Sequence, residues 1–217
     1  MAIYDTEEEQ IEQFKRWWSV NQTSVIIGVI TAIVIVSGAN FWQRYQQEIR
    51  TQASQAFQEM LDNAAKNNLD GVEKIAEKLN KEYASSAYAQ FAALELAKVK
   101  VQKGDLEAAK AILDKQIKTT DSDEIKHLAR LRLIELDIAT KQYEQGLQLI
   151  ASVDPATSEG FAANYDELQG DIYVAMDRLD EARTAYQSAI RTGQATPLIQ
   201  FKLDDISAPA FTATPAK

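Results

Sequence analysis

The residue types that ordinarily do chemistry are sparse in this chain, and their spacing argues against catalysis. There is one histidine, His127, and no cysteine. A lone imidazole without a second histidine or a thiolate cannot assemble the usual zinc site, and disulfides and thiol catalysis are excluded. Its place beside Lys126, near the start of a helical stretch, reads as a helix-surface position. Carboxylates are plentiful. Yet Glu7-Glu8-Glu9 reads as a solvated run and Asp121-Ser122-Asp123-Glu124 as a helix start, where negative charge meets the helix dipole. No glycine-rich loop ends in Lys-Ser or Lys-Thr, so there is no phosphate cradle, and Gly104-Asp105 reads as a turn. An enzyme needs a constellation of groups within reach of one another, and none is visible. No catalytic, metal or cofactor site is expected.

What the chain offers instead is apolar surface. Residues 17–43 hold 27 positions without one Lys, Arg, Asp or Glu. Their centre, from Val25 through Ile30 to Val36, is long enough as a helix to cross a hydrocarbon core of about 30 Å, since about 20 residues rising 1.5 Å each suffice. Trp17-Trp18 and Phe41-Trp42 stand where headgroups would lie, with Lys15, Arg16 and Arg44 just outside. Ser37-Gly38-Ala39 satisfies a small-x-small cleavage rule, but the acidic segment before the run and the aromatic pair after it favour an uncleaved anchor. Basic residues near the two ends balance, Lys15 and Arg16 against Arg44 and Arg50, so charge does not set the orientation. Within the span Ser24, Gly28 and Ala32 recur every four residues on one face, a pattern that lets a partner helix approach closely.

The net charge is −9, and beyond residue 42 there remain 21 Lys and Arg against 27 Asp and Glu. Without a basic stripe such a domain repels phosphate backbones, and nucleic acid is not an expected partner.

The domain repeats. Leu69-Asp70-Gly71-Val72, Leu106-Glu107-Ala108-Ala109, Tyr143-Glu144-Gln145-Gly146 and Leu179-Asp180-Glu181-Ala182 begin 37, 37 and 36 residues apart. That period, slightly over the nominal 34, is the spacing of tetratricopeptide-like helix pairs, with each anchor opening a second helix. The last unit carries Gly170, Tyr173, Ala182, Tyr186, Ala189 and Pro197 near the positions of that pattern. Earlier units replace Gly170 by Met60, Ala97 and Ile134, and Tyr186 by Ala76, Leu113 and Ile150. The expected fold is all-α, a single N-terminal transmembrane helix followed by a repeat array. Its organisation is a stub over 1–19, a span over 20–42, the array over 43–206 and a disordered tail over 207–217. Helices are expected over 43–65, 71–82, 85–102, 106–119, 123–140, 144–153, 159–176, 180–192 and 197–205.

In this register the first helix of each unit lines the concave side of the array. It places there Phe57 and Leu61, Phe91 and Leu94, Leu128 and Leu131, with Val101 and Ile138 further along, giving an apolar groove for a helix or an extended polypeptide. Asn164, Glu167, Asp171 and Val174 make its far end polar. For any one of these residues, packing against a neighbouring helix is the competing reading.

The Lys15-Arg16-Trp17-Trp18 step, the acidic stub with Ile3-Tyr4, the single span, Phe91-Ala92-Ala93-Leu94-Glu95-Leu96-Ala97 and Arg130-Leu131-Arg132-Leu133 together resemble the YfgM-like family, the ancillary subunit of the bacterial SecYEG translocon. The resemblance implies a protein of the inner membrane with a cytoplasmic N-terminus and a periplasmic repeat domain. It also implies partners: the SecYEG translocon, the membrane-anchored periplasmic chaperone PpiD and newly translocated polypeptides, besides membrane lipid. A membrane-anchored regulator that sequesters a signalling protein is the alternative.

Overall fold

The computed structural model describes residues 7–193 and 196–207. Ile3-Tyr4 of the stub and all but the first residue of the expected tail lie outside the described residues; Ser207 itself ends a helix. Every regular element among the described residues is helical: α1 Glu7–Ala65, α2 Leu69–Glu82, α3 Ala87–Gln102, α4 Leu106–Thr119, α5 Asp123–Ala139, α6 Tyr143–Ala151, a 3₁₀ turn Glu159–Phe161, α7 Ala162–Ala175, α8 Leu179–Arg191 and α9 Pro197–Ser207. Leu69, Leu106, Tyr143 and Leu179 each open a second helix, as the anchor spacing requires.

The chain divides into two compact units, with the boundary after Gln52, inside α1. In the first unit α1 is helical from Glu7 onward, and the described part of the stub therefore continues the span helix without a break. An 18-residue window of this helix has a mean hydropathy of 2.2, and none of it is buried. A core helix of a soluble protein would be covered, so this one is an apolar surface that requires an apolar solvent. Phe14 stacks near Trp17 and Trp18 at 6.1 and 6.3 Å, and Trp42 near Tyr45 at 6.3 Å, which gathers the aromatic rings into two bands.

In the second unit each helix pair is closed by the same turn. Asn67, Gly104, Lys141 and Asp177 hold φ of 55, 78, 60 and 60°, each two residues ahead of its anchor. The next amide returns to the carbonyl five residues earlier: Asn68 to Asn63 at 2.9 Å, Asp105 to Lys100 at 2.9 Å, Gln142 to Asp137 at 2.7 Å and Arg178 to Tyr173 at 2.8 Å. This is the Schellman closure, which satisfies carbonyls that the ending first helix leaves open. The Asn68 and Asp105 side chains then cap the second helix by accepting from the amides of Gly71 and Ala108, both at 3.2 Å.

Sixteen residues separate a pair of core positions in every unit: Met60 and Ala76, Ala97 and Leu113, Ile134 and Ile150, Gly170 and Tyr186. In each of the first three units both members belong to one hydrophobic cluster. In the last, the Tyr186 ring occupies the space a Cβ on Gly170 would take. The pair fills one slot with varied partitions of volume: large with small, small with large, two medium, none with aromatic. Close packing constrains the sum more tightly than either member.

Only Gly104 of the four turn residues lacks a Cβ, and the other three carry the steric cost of the left-handed region. Gly104→Ala is expected to lower stability by about 1–2 kcal/mol and Lys141→Gly to raise it by up to about 1 kcal/mol. Urea unfolding of the full-length chain in mild detergent checks both; effects of equal sign would contradict this account of the turn.

Candidate functional site

The first helices α3, α5 and α7 follow one another in the array, and two cavities open beside them. One, of about 290 Å³, lies between α3, α4 and α5 and includes Val101, Leu113, Arg132, Glu135 and Leu136. The other, of about 300 Å³, lies between α5, α7 and α9 and includes Leu131, Glu135, Ile138, Glu167, Asp171 and Lys202. Glu135 lines both, so the groove on the first-helix face consists of two cavities that adjoin at this residue.

The structure sorts the expected groove residues into two groups. Phe91 and Val101 are 42% and 38% exposed. Phe57 is half-buried and stands 5.8 Å from the Tyr88 ring and 6.2 Å from Phe91, so the end of α1 and the start of α3 share an aromatic cluster. Leu61 is half-buried at the end of α1. Leu128 and Ile138 are half-buried against the second and third core clusters, and Ile138 also borders the groove. Leu94 and Leu131 are different: they are 4% and 9% exposed and sit inside those cores. They are core residues rather than free groove residues, although an edge of Leu131 reaches the second cavity. Leu94 packs with Ala109 and Leu113 of α4 and Ile125 and Ala129 of α5, and Leu131 with Tyr165, Leu168 and Ile172 of α7, while Phe91 and Val101 stay outside these clusters.

The polar end is held by ions. The Lys202 ammonium donates to Glu167 Oε1 at 2.8 Å and to Asp171 Oδ1 and Oδ2 at 2.8 and 2.7 Å, and the Tyr186 hydroxyl donates to Asp171 Oδ1 at 2.7 Å. Burial and the bond to Asp171 push the Tyr186 phenol well above its ordinary range, so it remains a donor. Glu135 makes no ion pair among the described residues. Its side chain is exposed, and partial loss of hydration raises its carboxyl, with Asp171 and Glu167 adding to the rise against Arg132 and Lys202. Lys202 had no role in the sequence reading. Its signal was the apolar spacing of Ile199, Leu203 and Ile206, which dock α9 on the last core cluster and aim the intervening lysine at α7.

His127 is the other correction. It is 1% exposed, not on the helix surface. Nδ1 lies 2.7 Å from the Tyr165 hydroxyl, Nε2 lies 3.1 Å from Thr157 Oγ1, and the ring stacks on Phe161 at 4.9 Å. These partners are 30–38 positions away, so helical periodicity around residue 127 could not reveal them. The neutral imidazole needs one donor and one acceptor, and two hydroxyls supply either. Burial holds its pKa below the ordinary value of 6.5, and the positive Arg130 nearby lowers it further.

The sequence profile of the tetratricopeptide repeat-like domain matches residues 15–208. The chain belongs to the tetratricopeptide repeat-like family. The shared turn geometry is the physical trace of that repeat. At full length the chain is similar to the ancillary SecYEG translocon subunit of Escherichia coli (strain K12), 28% identical over 95% of this chain and 100% of that one. It is also similar to that of Haemophilus influenzae (strain ATCC 51907 / DSM 11121 / KW20 / Rd), 28% identical over 89% and 93%, and to that of Neisseria gonorrhoeae (strain ATCC 700825 / FA 1090), 24% identical over 95% and 100%. The resemblance to the YfgM-like family is thereby borne out, and the match runs through both the apolar helix and the repeats.

Two measurements follow from the site. Leu94→Ser should lower stability by about 2–5 kcal/mol, because a buried leucine is lost and a hydroxyl takes its place, whereas Phe91→Ser should cost about 1 kcal/mol or less. Equal losses in urea unfolding would refute the sorting into core and surface. The depressed His127 pKa means that the unfolded chain binds the proton more readily. The stability it contributes is full above pH 6.5 and declines as pH falls below that value toward the native one. Between pH 7.5 and 5.5 the full-length chain should lose more stability than His127→Gln, by no more than about 1.4 kcal/mol per pH unit, the limit for one proton. Parallel pH profiles would contradict a neutral buried imidazole.

Proposed function

We propose that the chain is a non-catalytic, membrane-anchored adaptor of the protein-export machinery, an ancillary translocon subunit that docks a periplasmic chaperone of the PpiD type and helps handle newly translocated polypeptides. What carries the reading is the pairing of one exposed apolar N-terminal helix with a repeat array whose first-helix face holds a groove, in a chain similar from end to end to proteins named for the SecYEG translocon. Elongated grooves of this kind take polypeptide by laying apolar anchors into pockets. Here Val101 lines the first cavity and is exposed, and Phe91, with the Phe57 ring against it, is an exposed aromatic on the same first helix.

The N-terminus is assigned to the cytoplasm and the array to the periplasm. Balanced flanking charges leave this to the family resemblance, and a long domain translocates largely regardless of charge. Ser24, Gly28 and Ala32 are exposed along α1, and nothing lies within 4 Å of where a Gly28 Cβ would stand, so that face is open to a translocon helix.

A periplasm-active reporter enzyme fused after Lys217 should be active, and purification of the full-length chain from membranes in a non-extracting detergent should recover translocon subunits with a periplasmic chaperone. Phe91→Ser should reduce chaperone recovery several-fold, since a few anchors carry most interface energy. Recovery of a soluble response regulator, together with reporter activity only in the cytoplasm, would favour the regulator reading instead.

A further inference from the structure

The groove has an unequal charge balance that the apolar reading does not use. Glu135, Glu167 and Asp171 all border the second cavity, and the one cation bonded among them is Lys202. Other nearby cations are directed elsewhere: Arg132 donates to the Leu94 carbonyl at 3.1 Å, and Lys98 pairs with Glu95 at 2.9 Å. Glu135 thus stands at the junction of both cavities without an ion pair among the described residues, in surroundings that already disfavour its charge. A carboxylate so placed, exposed at the edge of both cavities, has no cation of its own among the described residues and gains from one that arrives on the occupant, modestly because water still reaches the pair.

The geometry points to one occupant: a polypeptide segment that carries a lysine or arginine between apolar residues. Its aliphatic neighbours lie against Val101 and Ile138, and its charged head sits among Glu135, Glu167 and Asp171. Lys202 shows the chemistry of that seat, since a chain ammonium already spans two of the three carboxylates at 2.7–2.8 Å. It also acts as an internal competitor, because the carboxylates it neutralises attract an incoming cation less. This assignment rests on the reading that the groove takes polypeptide, and it adds the chemical class that the groove selects.

The test uses the full-length chain in phosphatidylcholine nanodiscs, with empty nanodiscs subtracted. The probe is a fluorescein-labelled decapeptide bearing one central lysine between leucines, with twins carrying norleucine or glutamate there, followed by anisotropy at low salt. The lysine peptide should bind about tenfold tighter than the glutamate twin and clearly tighter than the norleucine twin. Glu135→Gln, which removes no ion pair of the fold, should narrow that preference several-fold; Lys202→Met, with helicity checked by circular dichroism, should tighten the lysine peptide several-fold. Equal binding of the lysine and norleucine peptides would leave the polypeptide groove standing and overturn its charge selection, as would a preference unmoved by Glu135→Gln. Binding by none of the three would overturn both this assignment and the groove.

Discussion

Each helix pair in the array is closed by one backbone event, a residue held at positive φ two positions ahead of the second helix, at Asn67, Gly104, Lys141 and Asp177. The six-residue hydrogen bond that follows fixes how the second helix returns along the first. Repeating that return at nearly constant spacing is what brings α3, α5 and α7 to a common face, and the groove is a consequence of that face.

Packing then adapts locally to this frame. The slot filled by Gly170 with Tyr186 in the last unit is filled by Met60 with Ala76 in the first, and the larger member of three of the pairs, Met60, Leu113 and Tyr186, is among the largest fully buried side chains. This explains why signature residues fade along the chain while the fold does not. Between the third and fourth units the buried His127, its two hydroxyl partners and Phe161 form a polar plug in an otherwise apolar seam. Lys110 does similar work between the second and third units: it donates to Asp137 at 2.7 Å, to Thr140 Oγ1 at 2.7 Å and to Gln142, tying α4 to the turn that ends α5.

The fold was legible because its two determinants are local in sequence. A charge-free run needs no partner to be recognised, and the anchors at Leu69, Leu106, Tyr143 and Leu179 mark helix starts by position alone. The candidate site was legible only in outline. Periodicity places Phe91, Leu94, Leu128 and Leu131 on first helices, but which of them face solvent depends on how close the neighbouring helices approach, and that distance is set by residues more than 30 positions away. The same limit hid His127, whose partners lie on a later loop and helix, and Lys202, whose carboxylates sit on α7. Long-range polar contacts leave no periodic trace.

A photo-reactive amino acid placed at Val101 on the groove, and separately at Glu77 on the exposed face of the second helix α2, tests the central claim most directly when irradiated in intact membranes. Adducts with a periplasmic chaperone or a translocating chain from the Val101 position, and none from Glu77, are the result expected of a first-helix groove that docks polypeptide. Adducts from Glu77 with none from Val101 would contradict it and move the docking surface to the opposite face of the array.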